Sequence, residues 1–181
     1  MKKPSVSELT DLLNKPALLN WANKIGLNGI SLVDYRKKAK AAGTSIHNQI
    51  ENYIKNKTPF EDADVQDNFE KYFANKKIIS YEKEIETDYF KGRYDILIEY
   101  NGKKYLCDFK SNHKVAYFEN KLQLVACKMA EPCDNVGIIS VPDFTFIPTY
   151  IDDFGMYEKI LKNLSLIYQT KKIIENGNKS F

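Results

Sequence analysis

Arginine, histidine, cysteine and long apolar runs are all scarce in this 181-residue chain, and each scarcity removes a class of function. The three cysteines, Cys107, Cys127 and Cys133, are odd in number and match neither a zinc nor a disulfide spacing, so they read as small buried hydrophobes of a reducing compartment. No run approaches the ~18 apolar residues of a membrane helix. Met1-Lys2-Lys3-Pro4-Ser5 passes directly into polar sequence with no apolar signal segment, which makes a cytoplasmic protein without a membrane partner the expectation. The charge balance, 27 Lys plus Arg against 24 Asp plus Glu, leaves only +3, short of the basic excess that marks a nucleic-acid binder by composition. Arg36 and Arg93 are the two arginines, so phosphate contacts would fall mostly to lysines acting as point charges. Repeats, low-complexity tracts and long Pro/Gly/Ser linkers are absent too, and one domain spanning 1–181 is the economical expectation.

What is present is 43% hydrophobic residues in patterns that change along the chain. The first part, 1–75, reads as helical. Ser5 or Ser7 caps a short helix, Pro16 opens a second carrying Leu18, Leu19, Trp21 and Ala22, and a longer one covers 32–55 with a possible break at Gly43. A further helix is expected over 64–74. From Ile78 the period turns to alternation, and 78–151 reads as the sheet core: strands over 78–87, 93–100 and 103–110, a helix over 117–130, a buried strand over 136–141 and an edge strand over 144–151 interrupted by Pro148. An amphipathic helix closes the chain over 155–175. Helices before, between and after strands predict an α/β fold, helices packed around a central mixed sheet with an N-terminal helical segment.

Asn101-Gly102 between two alternating runs is a strong hairpin signal, because a type I′ turn needs positive φ at both positions. With Tyr100 opposite Lys103, stepping outward along the hairpin brings Asp95 opposite Asp108. Directly opposed residues have Cβ atoms ~4.5–5.5 Å apart, and like charges there call for a compensator such as a divalent cation. Lys110 shares the face of Asp108 by the period of two, with Phe109 on the other face. Such a patch suits metal-assisted phosphodiester hydrolysis: hard carboxylates bind Mg²⁺ or Mn²⁺, and a lysine orients water or stabilises developing charge. An isolated Asp-x-Lys is more often a strand salt bridge; the second carboxylate at the required place is what distinguishes this one. His47 and Glu51 lie one turn apart on a helix face beside Ile46 and Ile50, and read alone as a structural pair.

The series Gly92-Arg93-Tyr94-Asp95, Asp108-Phe109-Lys110-Ser111 and Gln123-Leu124-Val125-Ala126-Cys127 resembles, in order, the G-x-x-D, (D/E)-x-K-(S/T) and Q-L-x-x-Y motifs of the PD-(D/E)XK nuclease superfamily, in its RecB-like and phage or mitochondrial genome-maintenance exonuclease branch. Gly43-Thr44-Ser45-Ile46-His47 is similar to that branch's G-T-x-x-H helix, and Pro4-Ser5-Val6-Ser7-Glu8-Leu9 to its N-terminal opening. The resemblance implies a restriction-endonuclease-like α/β/α sandwich and an Mg²⁺- or Mn²⁺-dependent deoxyribonuclease. In that reading His47, Asp95, Asp108 and the Phe109 carbonyl hold the metal, Lys110 assists the attacking water, and Gln123 touches the active site or DNA. Glu51 would support His47. Of Glu82, Glu84 and Glu86, which alternation puts on one face, one would approach the metal, against the plainer account of a charged outer face. Cys127 stands where the family has Tyr. Three cysteines so placed cannot supply the iron–sulfur cluster of some members, and none is expected.

The function so implied is an exonuclease acting on DNA ends in phage or bacterial recombination or repair. It would work on linear single- or double-stranded DNA, with an oligomeric ring or a partner supplying processivity. The alternative is a nuclease-fold subunit that binds or recruits DNA without catalysis of its own. Arg36-Lys37-Lys38-Ala39-Lys40 and Lys171-Lys172 are candidate phosphate contacts, Trp21 and Tyr35 candidate stacking residues, and His113 a candidate substrate contact by proximity to Lys110.

Overall fold

Helix signals and strand signals in this chain sort into two compact units, Leu13–Asp67 on one hand and Met1–Leu12 with Asn68–Phe181 on the other. The computed structural model describes residues 3–13, 16–111 and 114–177.

The Leu13–Asp67 unit is helical. Helix α2 spans Pro16–Leu27, where proline occupies the first turn and costs no hydrogen bond. Helix α3, Leu32–Asn56, is capped by Ser31, whose hydroxyl accepts from the Asp34 N–H, and it ends at Lys57 in the left-handed region, φ 57°. It runs through Gly43 without interruption, because one glycine costs a helix of this length only about 1 kcal/mol. Trp21 and Tyr35 meet edge to face, 5.3 Å between ring centroids. Gln49 accepts from the Glu61 N–H at 2.9 Å and fixes the turn after α3.

The larger unit is built on a five-stranded sheet in the order β1-β2-β3-β4-β5: β1 Lys77–Glu86, β2 Lys91–Tyr100, β3 Lys103–Ser111, β4 Asn135–Val141 and β5 Thr145–Pro148. Every neighbouring pair is antiparallel except β3 and β4, which helix α5, Phe118–Ala130, joins as a crossover. Asn101 and Gly102 have φ 51° and 71°, and the pairs run from Tyr100–Lys103 to Ile96–Cys107 as the turn dictates. Helix α1, Val6–Thr10, carries a capping box between Ser5 and Glu8, and the Pro4 carbonyl accepts from the Lys91 N–H at 2.9 Å. Helix α4, Ala63–Phe73, contributes Phe69 and Phe73, and helix α6 covers Phe154–Gly177.

Strand β3 shows how the layers are divided. Leu106 packs in a buried cluster with Leu97, Leu124, Cys127, Val136 and Ile138, whereas Phe109 turns the other way toward Phe144, which meets the rings of Phe69 and Phe73. Helices therefore cover both faces of a mixed sheet, and the molecule is an α/β sandwich. Among the described residues no helix is long and apolar enough to cross a membrane.

Candidate active site

The site begins where two strands part. The antiparallel β2–β3 ladder ends on Ile96–Cys107, while the parallel β3–β4 ladder continues through Asp108–Ile138 to Ser111–Val141. Beyond Cys107, β3 is thus tied to β4 alone, and the ladder position facing β2 is filled by a side chain: the Phe109 N–H donates to Asp95 Oδ2 at 2.7 Å. The expected opposition of Asp95 and Asp108 lies one step beyond the last paired residues, Ile96–Cys107, of the register the turn sets. Two facing carboxylates repel, whereas accepting a backbone N–H stabilises Asp95 and satisfies a donor that the ladder has released.

Asp108 is held from two sides. It is buried, and its Oδ2 lies 2.6 Å from Lys110 Nζ, two residues along the same face. Its Oδ1 accepts from Gln123 Nε2 at 3.0 Å, and Gln123 Oε1 meets Lys110 Nζ at 3.5 Å, which closes a triangle. Helix α5 places that amide: Leu122, Leu124, Val125 and Ala126 are buried around it, and their packing fixes the helix rotation. Burial alone would depress the Lys110 ammonium, but the charge of Asp108, its hydrogen bond and the charge of Asp95 together outweigh this and hold it above the ordinary lysine range. The acidic field also reaches α5. The Cys127 thiol is pushed up first by burial and then by Asp108 and Asp95.

Glu82 joins from β1. It has φ 45°, in the left-handed region that a side chain rarely adopts, just beyond a register shift between Ile78 and Ser80. One of its carboxylate oxygens lies within 4.8 Å of one on Asp95, and Arg93 Nε is 2.7 Å from its Oε2. Glu84 and Glu86 on the same strand are exposed, and Glu86 pairs with Lys3 at 2.7 Å. Alternation grouped all three, and Glu82 is the one that is half-buried and reaches Asp95.

The remaining candidates are described on their own elements. His47 is half-buried on α3 of the other unit, and Glu51 on the same helix forms an ion pair with Lys55. Cys127 is buried in the cluster with Tyr94, whose hydroxyl is 2.6 Å from that of Ser80. Lys171 and Lys172 meet Glu175 at 3.9 and 2.9 Å within α6. Arg36, Lys37 and Lys38 are exposed on α3. His113 lies outside the described residues.

The donor chemistry on the larger unit fits a hard divalent cation. Asp95, Glu82 and Asp108 offer carboxylate oxygens only, and the cations set against them are Arg93 and Lys110. No family model and no curated protein matches this chain. Among solved structures, one described as the crystal structure of SSO0001 is similar at a TM-score of 0.44 and 15% identity, over 91% of this chain and 76% of that one. A likeness of that size leaves function to be argued from the site.

Proposed function

We propose that the protein is a divalent-cation-dependent deoxyribonuclease of the PD-(D/E)XK type, hydrolysing phosphodiester bonds with Mg²⁺ or Mn²⁺. The observation that carries this reading is the Asp108–Lys110–Gln123 triangle beside Asp95, at the point where β3 leaves β2. A salt bridge serving only to fasten strands would not need to be buried, bridged by an amide from the crossover helix and set next to a second carboxylate. Asp95 and Asp108 would hold the metal with the Phe109 carbonyl; His47 as a further ligand rests on the sequence resemblance. The metal, when bound, polarises the phosphoryl oxygen and lowers the pKa of a bound water. Lys110, kept protonated by Asp108 and Asp95, supplies a fixed positive charge where negative charge develops. Gln123 keeps the ammonium and the carboxylate in one orientation, so neither reorganises during the reaction.

End-labelled linear and unlabelled circular DNA, incubated with the protein in Mg²⁺, Mn²⁺ or EDTA, tests this. Cleavage requires the cation, Asp108→Ala abolishes it, and Lys110→Ala slows it roughly 10²–10³-fold, the usual cost of losing one charge-stabilising group. Cutting of linear but not circular DNA would assign exonuclease action. If both variants cleave as fast as the parent, or if EDTA has no effect, the proposed function is wrong.

A further inference from the structure

We propose that Arg93 is a phosphate clamp on the substrate strand, aimed beside Asp95 by its bond to Glu82; this rests on the nuclease reading above. The guanidinium is fixed at its root. Its Nε lies 2.7 Å from Glu82 Oε2, the Glu82 side chain is only 13% exposed, and the Arg93 side chain is 61% exposed. The half-buried carboxylate therefore holds the inner edge of the group while its outer part faces solvent. Among the described residues the Arg93 side chain has no other ion pair. With Nε set against the carboxylate in an ion pair, the two terminal nitrogens are the parallel donors that match two oxygens of a phosphate. Glu82 in turn reaches within 4.8 Å of Asp95, so the fork is held next to the carboxylate proposed to carry the cation.

No other cation along β1 and β2 offers this: Lys77, Lys83 and Lys91 are point charges rather than forks, and Lys83 is already tied to Glu131 at 2.6 Å. The local balance adds a condition. Glu82, Asp95, Asp108 and Glu84, which pairs with Arg93 across the β1–β2 ladder, outnumber Arg93 and Lys110, so a phosphate is repelled until a divalent cation offsets the excess. The clamp therefore operates with the cation bound and is silent without it.

Fluorescence anisotropy of a short fluorescein-labelled DNA duplex with the full chain, in Ca²⁺ and in EDTA, at salt from ~50 to ~200 mM, reads this directly. In Ca²⁺, Arg93→Ala makes the slope of log affinity against log salt shallower by about 0.9, the loss of one phosphate contact. Arg93→Lys restores the slope without restoring full affinity. In EDTA, parent and Arg93→Ala bind alike. In Mg²⁺ turnover the variant raises KM more than it lowers kcat. Should Arg93→Ala fold poorly, Arg93→Gln, which keeps an amide for Glu82, carries the same measurement. An unchanged slope in Ca²⁺, or an equal loss in EDTA, overturns the clamp. If that happens while the parent still cleaves and Asp108→Ala does not, the nuclease reading stands without it; a parent that neither binds nor cleaves DNA takes both down.

Discussion

Replacing Lys110 by Met would remove the ammonium from a buried carboxylate while keeping most of the side-chain length. Asp108 would then hold a charge inside the fold with Gln123 as its remaining partner. Breaking a buried pair on one side costs about 3–5 kcal/mol. The Lys110 side chain is 27% exposed and the amide remains, which places this site at the lower end, about 3 kcal/mol. With a urea dependence of roughly 2 kcal/mol/M, the unfolding midpoint falls by about 1.5 M. Asp108→Asn in the same chain removes the stranded charge and recovers about half of that loss, an interaction of the size that double-mutant cycles find for neighbours. The pH dependence has a definite sign. Because Lys110 is held above the ordinary lysine range in the fold, its contribution is complete below that range and is lost as pH rises through the raised value. The gap between parent and Lys110→Met stays constant from neutral to about pH 10 and narrows above it. A Lys110→Met variant that unfolds at the parental midpoint, or a double variant less stable than the single one, would refute the buried-pair account.

Two predictions concern the rest of the sheet. A Cβ on Gly137 would stand 2.3 Å from Phe146 Cε2 and 3.0 Å from the Ile147 carbonyl, so Gly137→Ala should cost about 1–3 kcal/mol in thermal denaturation, and Phe146→Ala should relieve part of it; an unchanged melting temperature in Gly137→Ala would show that β5 yields freely. Burial pushes the Cys107 and Cys127 thiols up, whereas Cys133 is half-buried, so a thiol reagent should label Cys133 first and reach the other two only on unfolding, with peptide mapping to assign the order. Early labelling of Cys127 would contradict its place in the core.

Much of the sheet was legible because its signals are local. Asn101-Gly102 set the hairpin register, and that register holds as far as Ile96–Cys107. Gln123 was singled out by the resemblance of Gln123-Leu124-Val125-Ala126-Cys127 to a Q-L-x-x-Y motif, and its two contacts depend on how α5 crosses the sheet. Strand β5 is shorter than expected, Thr145–Pro148 against 144–151, with one further bond to β4 after the proline, from the Thr149 N–H to the Val136 carbonyl at 3.2 Å. Two features at the site were not legible. Asp95 satisfies the Phe109 N–H in place of a ladder partner, a side-chain-to-backbone choice that alternation does not encode. Glu82 has a positive φ in a non-glycine residue, which composition gives no reason to expect. Both features lie among the carboxylates of the candidate site, on β1 and at the end of the β2–β3 pairing.

The exposed Asn101-Gly102 turn also bears on how long the hairpin keeps its register. Glycine places no side chain in the way of its own backbone nitrogen, which can attack the Asn101 side-chain amide and expel ammonia. Reopening of the resulting ring to isoaspartate inserts an extra carbon into the main chain at the position that sets the hairpin register. The hydrophobic layers would survive such a change, but Asp95 and Asp108 would lose the alignment that the turn imposes from the far end of their strands. Chemical ageing of one surface dipeptide would thus silence the site in a protein that still looks folded.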